Sequence, residues 1–380
     1  MRATPSSPGR APAGSLVPRS AAACAVVLLL VLIAGAGAAQ ATHDPVGDCS
    51  PGYENVRGVD LETFFDGRSN LTICLRGNLT EPENFNVRWS NMNHVTVRSA
   101  PGTWHAIRSR IWIDNTSRNV SLYGLTLDGG DFTEEPGATG LAINADNVKL
   151  QRDLITNRNG VAGSCITNDP AYGVAGNLQI LANRIFDCGR DETHDHGIYT
   201  NGMDRPIVRA NWIYESAGRG INLGPGTQGA TIYRNVIADN CADPLGGPND
   251  CSANVMFWGS TSGTEMTNNT IAFPHFRWNV AGCDDATGTT DCRVWTGTAN
   301  SIASSCFITT NDGYSGDPAG SGISPGFPGK YATVSQATTT VADPRFADRL
   351  WQAHANRNYR VRNSACSANQ PQQSVGPPAP

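Results

Sequence analysis

Gly176-Asn-Leu-Gln-Ile-Leu-Ala-Asn-Arg-Ile185 returns as Arg205-Pro-Ile-Val-Arg-Ala-Asn-Trp-Ile-Tyr214, as Ala230-Thr-Ile-Tyr-Arg-Asn-Val-Ile237 and as Glu265-Met-Thr-Asn-Asn-Thr-Ile271. Each copy contains Asn-x-Ile: Asn183/Ile185, Asn211/Ile213, Asn235/Ile237 and Asn269/Ile271, with steps of 28, 24 and 34 residues between isoleucines. Looser copies precede them at 118–127 and 146–155. An uneven period of this size marks a solenoid, in which each turn of chain is one unit and loops absorb the differences in length. Between the copies lies a second element, Gly140-Leu-Ala-Ile143, Ser164-Cys-Ile166, Gly197-Ile-Tyr199, Gly220-Ile-Asn-Leu223 and Ala253-Asn-Val-Met-Phe257. Its apolar residues alternate, so each coil holds at least two short strands. One coil cannot bury its apolar face alone; stacked coils pair in parallel about 4.8 Å apart and enclose a core. An asparagine at each bend satisfies backbone groups that the turn leaves unpaired, so Asn183, Asn211, Asn235 and Asn269 read as a structural ladder.

The rest of the 380 residues agrees with short strands and tight turns: 41 Gly, 23 Pro and only 16% charged residues exclude a polyelectrolyte or a long charged coiled coil. Residues 1–41 carry Arg2, Arg10 and Arg19 ahead of an apolar stretch and Ala39-Gln40-Ala41, the pattern of an export signal cleaved before Thr42. The uncharged run from Ala21 to Ala39 is nearly long enough to span a bilayer, so an uncleaved N-terminal anchor is the alternative. Without those arginines the body has 25 basic and 33 acidic residues, net −8. So acidic a body is a poor general partner for nucleic acid. No second apolar run reaches membrane-spanning length. Leaving aside Cys24, ten cysteines in an exported chain predict five disulfides. The spacings suggest Cys49–Cys74, Cys165–Cys188, Cys241–Cys251, Cys283–Cys292 and Cys306–Cys366, though other pairings satisfy the count.

The Asn-x-Ile coils and the Gly-Ile-Tyr segment resemble the right-handed parallel β-helix proteins of the pectate-lyase-like superfamily, over roughly residues 85–310. The resemblance implies an all-β, right-handed parallel β-helix of about eight to ten coils, a secreted monomer and a polysaccharide partner. It leaves activity open, since one fold hosts many functions. The expected organisation is a signal peptide at 1–41, an N-terminal cap and first coil at 42–90, and the β-helix at 91–311. A loop with a C-terminal coil follows at 312–368, then a disordered tail at 369–380.

The stretch richest in ionisable groups is Asp191-Glu-Thr-His-Asp-His-Gly-Ile-Tyr199. Taking Ile143, Ile166, Ile198, Ile221 and Val255 as inward predicts that Asn144, Thr167, Tyr199, Asn222 and Met256 face outward, with Asp169, Asn201 and Trp258 two residues on. Polar groups and aromatic rings in one strip suit a sugar-binding groove. Three chemistries fit. In the first, uronate lysis or epimerisation, His194 or His196 serves as base or acid with Asp195, Tyr199 is the partner, and Arg219 or Arg209 neutralises the substrate carboxylate. The superfamily's uronate epimerases carry Asp-Pro-His-Asp; only His194-Asp195 matches, because Glu192-Thr193 stands in place of Asp-Pro. The lysine base of several β-helix lyases has only Lys149 and Lys330 to map onto. The second is glycoside hydrolysis by two carboxyls drawn from Asp169, Asp187, Asp195 and Glu215. The β-helix polygalacturonases' Asp-Asp before a cysteine is Gly163-Ser164 here. The third is non-catalytic glycan or surface binding, with His196 capping a turn. No cofactor is implied; a divalent metal at His194 and His196 is the remaining metal reading.

Overall fold

The computed structural model describes residues 49, 54–56, 61–80, 86–130, 139–158, 163–190, 195–241, 251, 253–273, 278–282, 297–308, 323, 332–334, 340–341 and 360–367. Three parallel sheets wrap one core. Sheet 1 has eleven strands, from Glu54–Val56 to Ala332–Val334; sheet 2 has ten, from Leu79–Thr80 to Thr340–Val341; sheet 3 has eight, from Asn86–Trp89 to Trp278–Gly282. The chain visits sheets 1, 2 and 3 in turn and then repeats, so each strand pairs with the same segment one coil away. Parallel strands joined this way wind right-handed. The repeat isoleucines fall in register, Ile185 opposite Ile213, Ile213 opposite Ile237 and Ile237 opposite Ile271, all fully buried.

The bend from sheet 1 to sheet 2 explains the repeat. One residue takes a left-handed conformation (Ala182, Ala210, Arg234, Asn268), and the ladder asparagine follows. A non-glycine residue there costs about 1 kcal/mol or more, and the ladder offsets it. The Asn183 N–H donates to Asn211 Oδ1 (2.8 Å), Asn211 N–H to Asn235 Oδ1 (2.9 Å) and Asn235 N–H to Asn269 Oδ1 (2.9 Å). Each Nδ2 also donates to a strand carbonyl, Leu150, Ile180, Val208 and Ile232 in turn. Asp153 occupies the first rung and Ser305 the last. A second buried run, Asn240, Asn254 and Asn279, lies beyond sheet 2.

The helix Leu61–Phe65 closes the first end of the core, with Phe65 stacked on Trp89 at 4.3 Å. Val361 and Cys366 belong to a second apolar cluster along sheet 2, which runs from Phe186 through Tyr214, Val236 and Ala272 to Cys306. Four of the expected disulfides are formed: Cys49–Cys74, Cys165–Cys188, Cys241–Cys251 and Cys306–Cys366. Cys283, Cys292, the leader and the 369–380 tail lie outside the described residues. Among the described residues no helix is long and apolar enough to cross a membrane.

Candidate functional site

Sheet 3 carries the sequence-predicted strip, with one shift in register. Ile166 pairs with Leu141, not Ile143, so the outward row runs Arg88, Trp112, Ala142, Thr167, Tyr199, Asn222, Met256. Asn144 stands two residues beyond Ala142, level with Asp169, Asn201 and Trp258. A slip of two preserves the face, and the variable coil lengths hide it from a reading by eye.

Asn144 is 3% exposed and fully engaged. Its Oδ1 accepts from Trp112 Nε1 (3.1 Å), and its Nδ2 donates to the carbonyls of Asp169 (2.6 Å) and Gly173 (2.7 Å). It is a positioning residue rather than a ligand, and what it positions is an aromatic platform. The Trp112 and Tyr172 rings meet edge to face with centroids 5.2 Å apart, and the Arg88 guanidinium lies 5.0 Å over Trp112. Arg88 is anchored in turn by the buried carboxylate of Asp114, Nε to Oδ2 at 2.7 Å. Tyr172 is 56% exposed and Val174 is 52% exposed. Tyr172 ends the 3₁₀ turn Pro170–Tyr172, capped by Asp169, whose Oδ1 accepts from Ala171 N–H (2.9 Å). Sequence reasoning missed this platform, although Asp-Pro at 169–170 is a helix-start signal that raises Tyr172 off the strand row.

The histidine and acid of the loaded stretch are bound into the fold. The Asp195 carboxylate is buried and accepts the N–H groups of Gly163 and Arg190. His196 is 2% exposed. Its Nδ1 accepts the Arg219 N–H (3.1 Å), and its Nε2 lies 2.8 Å from the Asn222 carboxamide. With the Nδ1 lone pair used, the ring proton belongs on Nε2, and the carboxamide must present Oδ1 to it. That orientation also gives a partner to Asn222 Oδ1, which otherwise has none among the described residues. His194 lies outside the described residues, so the metal pair and the histidine base at that position stay as expectations. Among the described residues no three His, Cys, Asp or Glu side chains gather around a metal-sized space.

Tyr199 is the half-buried centre of the row, edge to face with His196 at 5.5 Å. Burial pushes its phenol up; the positive charge of Arg219 opposes this and Asp169 adds to it. Arg219 itself is 2% exposed and belongs to the same neighbourhood. Asn201 exchanges hydrogen bonds with Asn168, its N–H donating to Oδ1 (2.7 Å) while its carbonyl accepts from Nδ2 (2.5 Å). The Thr167 hydroxyl is buried, and half-buried Trp258 is held through its backbone to Leu223. Arg209 is elsewhere: it ends the sheet 1 strand Ile207–Arg209 and does not join this face. Asp187 and Glu215 occupy left-handed bends just past sheet 2 strands.

Three sheets and an asparagine ladder settle the architecture. The chain has the fold of the right-handed parallel β-helix proteins. No family model and no curated protein matches the sequence. Similar solved structures include pectate lyase Pel9A, 8% identical over 81% of this chain and 80% of that one, with a TM-score of 0.45. An Azotobacter vinelandii mannuronan C-5 epimerase A-module is 14% identical over 72% and 91%, TM-score 0.36. The Dettilon tailspike protein is 12% identical with TM-score 0.40; this chain spans 60% of the tailspike's length, and 71% of this chain is covered. At such identities the likeness concerns the fold alone.

Proposed function

We propose that this is an exported, monomeric β-helix that binds a polysaccharide along the outer face of sheet 3. One observation carries the reading: a fixed aromatic platform, Trp112 with Tyr172, oriented by the buried Asn144 and opening toward Asp169 and Tyr199. Rings held in place stack on the apolar face of a pyranose without loss of side-chain freedom, while nearby carboxylates and amides take its hydroxyls. Trp112 and Tyr199 are three strand spacings apart, about 14 Å, room for a short run of sugar units. The four disulfides support an oxidising destination. The test is titration of the purified protein with a panel of neutral and uronate-containing polysaccharides. Tyr172→Ala is expected to weaken binding at least tenfold with unchanged melting; equal affinity in the variant overturns the assignment.

Lyase or epimerase chemistry is the second reading, favoured by Tyr199 feeling the charges of both Arg219 and Asp169. In the lyase case the Tyr199 phenolate, favoured by the Arg219 charge, would take the proton alpha to the uronate carboxylate and pass it to the departing glycosidic oxygen as the ring gains its double bond, while the guanidinium would neutralise the carboxylate. His196 contributes no lone pair to that scheme, because backbone N–H already occupies Nδ1. Hydrolysis needs two facing carboxyls, and Asp195 is committed to two backbone groups. Absorbance from newly formed unsaturated uronates in the same panel separates a lyase from a binder.

A further inference from the structure

Arg152, Arg184, Arg209 and Arg234 belong to four successive coils and cluster at one corner of the solenoid, where sheet 1 bends into sheet 2. Arg152 and Arg234 are the left-handed bend residues themselves, with φ of 60° and 54°, Arg209 is the last residue of its sheet 1 strand, and Arg184 opens its sheet 2 strand. Arg209 is exposed and the other three are half-buried. None of the four has an ion-pair partner among the described residues. The Nε of Arg234 is buried and has no hydrogen-bond partner among the described residues.

Aromatic rings set their geometry. Arg152 lies 5.7 Å from the centroid of Tyr123 and donates to its hydroxyl (2.8 Å). Arg209 and Arg234 flank Tyr233 at 6.0 and 5.1 Å, and Arg184 lies 6.0 Å from Trp212. A guanidinium resting on a ring loses little further freedom on binding and keeps its N–H edge turned outward. The eight strands that flank this corner in these four coils contain no acidic residue. The one acid in the bend is Asp153, which is buried. In a chain of net charge −5, this corner is a local reversal of sign.

We propose that this corner is a second binding surface, separate from sheet 3, for a linear polyuronate lying parallel to the helix axis. The four coils stack at about 4.8 Å per strand, so each offers one guanidinium along the axis. The four take three positions across the corner: Arg209 ends a sheet 1 strand, Arg152 and Arg234 stand on the bend, and Arg184 opens a sheet 2 strand. That step along the axis is comparable to the repeat of a sugar chain carrying one carboxylate per residue. Each planar fork matches a carboxylate in a two-point contact. Nucleic acid is disfavoured because the rings at this corner already carry guanidiniums on their faces and are not free to stack on bases.

The experiment uses the full exported chain, with polygalacturonate as probe and its highly methyl-esterified form and single-stranded DNA as comparisons, titrated from 20 to 200 mM salt. The wild type is expected to bind the de-esterified polymer with affinity that falls steeply with salt. Arg209→Ser with Arg234→Ser should weaken binding about tenfold and flatten the log–log salt slope by about one to one and a half. The exposed single variant Arg209→Ser should move in the same direction, with unchanged melting. Tyr172→Ala should leave the salt slope intact, which separates this surface from the sheet 3 platform. An unaltered slope in both arginine variants, equal binding of the esterified polymer, or tighter binding of DNA each overturns the proposal.

Discussion

Replacing Asp153 with asparagine completes the ladder at its first rung. Asp153 is buried; its N–H donates to Asn183 Oδ1 (2.8 Å) and its Oδ1 accepts from Leu125 N–H (2.9 Å). Its Oδ2 has no hydrogen-bond partner among the described residues. In every later asparagine rung the corresponding atom is an Nδ2 that donates to a strand carbonyl. Burial drives the Asp153 carboxyl well above its ordinary value, against the backbone N–H groups that pull it down. The folded protein therefore holds a proton there that the unfolded chain releases above about pH 3.9. The stability this proton supplies is complete below that pH and is lost as pH rises toward the folded-state value, at about 1.4 kcal/mol per pH unit. Asparagine carries the donor at every pH. For a body of this size 1 kcal/mol moves the melting temperature by about 1.5 °C. Melting of Asp153→Asn and wild type should therefore coincide near pH 4 and separate by about 2 °C per pH unit above it, until the wild-type carboxyl ionises. Differential scanning calorimetry from pH 4 to 8 reads this directly. A gap that stays constant with pH, or a variant that melts lower at pH 7, refutes the reasoning.

Asn211→Ala removes a middle rung, strands the Asn183 donors and the Ile180 carbonyl, and should cost about 3 kcal/mol in chemical denaturation. His196→Ala should destabilise by about 2–4 kcal/mol through the same kind of loss; unaltered stability would show that the ring is not a structural tie. Serines in place of Cys165 and Cys188, which close 23 residues, should lower stability by about 3 kcal/mol under oxidising conditions and by nothing once the wild type is reduced. Tyr199→Phe should abolish any uronate turnover while leaving glycan affinity within about threefold; surviving turnover removes Tyr199 from the chemistry.

The fold was legible because its signal repeats. Asn183, Asn211, Asn235 and Asn269 sit at one bend, each backed by an inward isoleucine, and the formed disulfides follow the nearest-neighbour cysteine spacings. The Asn240, Asn254 and Asn279 run escaped notice because loops of unlike length separate its members. Thr167, Tyr199, Asn222 and Met256 do fall in one row, but only Tyr199 of the four reaches solvent, since Met256 packs with Ala253 and Ala281 and Thr167 and Asn222 are buried. Asn144 is one pleat repeat out because nothing in sequence marks where a three-residue strand ends. Ionisable residues clustered in sequence misdirected the chemistry: Asp195 and His196 are consumed by backbone groups that only the neighbouring coils bring near. Arg209 stands on sheet 1, away from the sheet 3 groove, and sequence does not show this because parity along a strand says nothing about which of three sheets it belongs to.

Coils that range from 20 residues (Ile107 to Leu127) to 36 (Ile271 to Phe307) still stack with their strands opposite one another, so the variation is confined to loops leaving the solenoid at its corners. Such a body behaves as a ruler with interchangeable tabs. A peptide spliced into a chosen corner stands at a known height along the axis, and several such inserts would be displayed in a line at intervals of one strand.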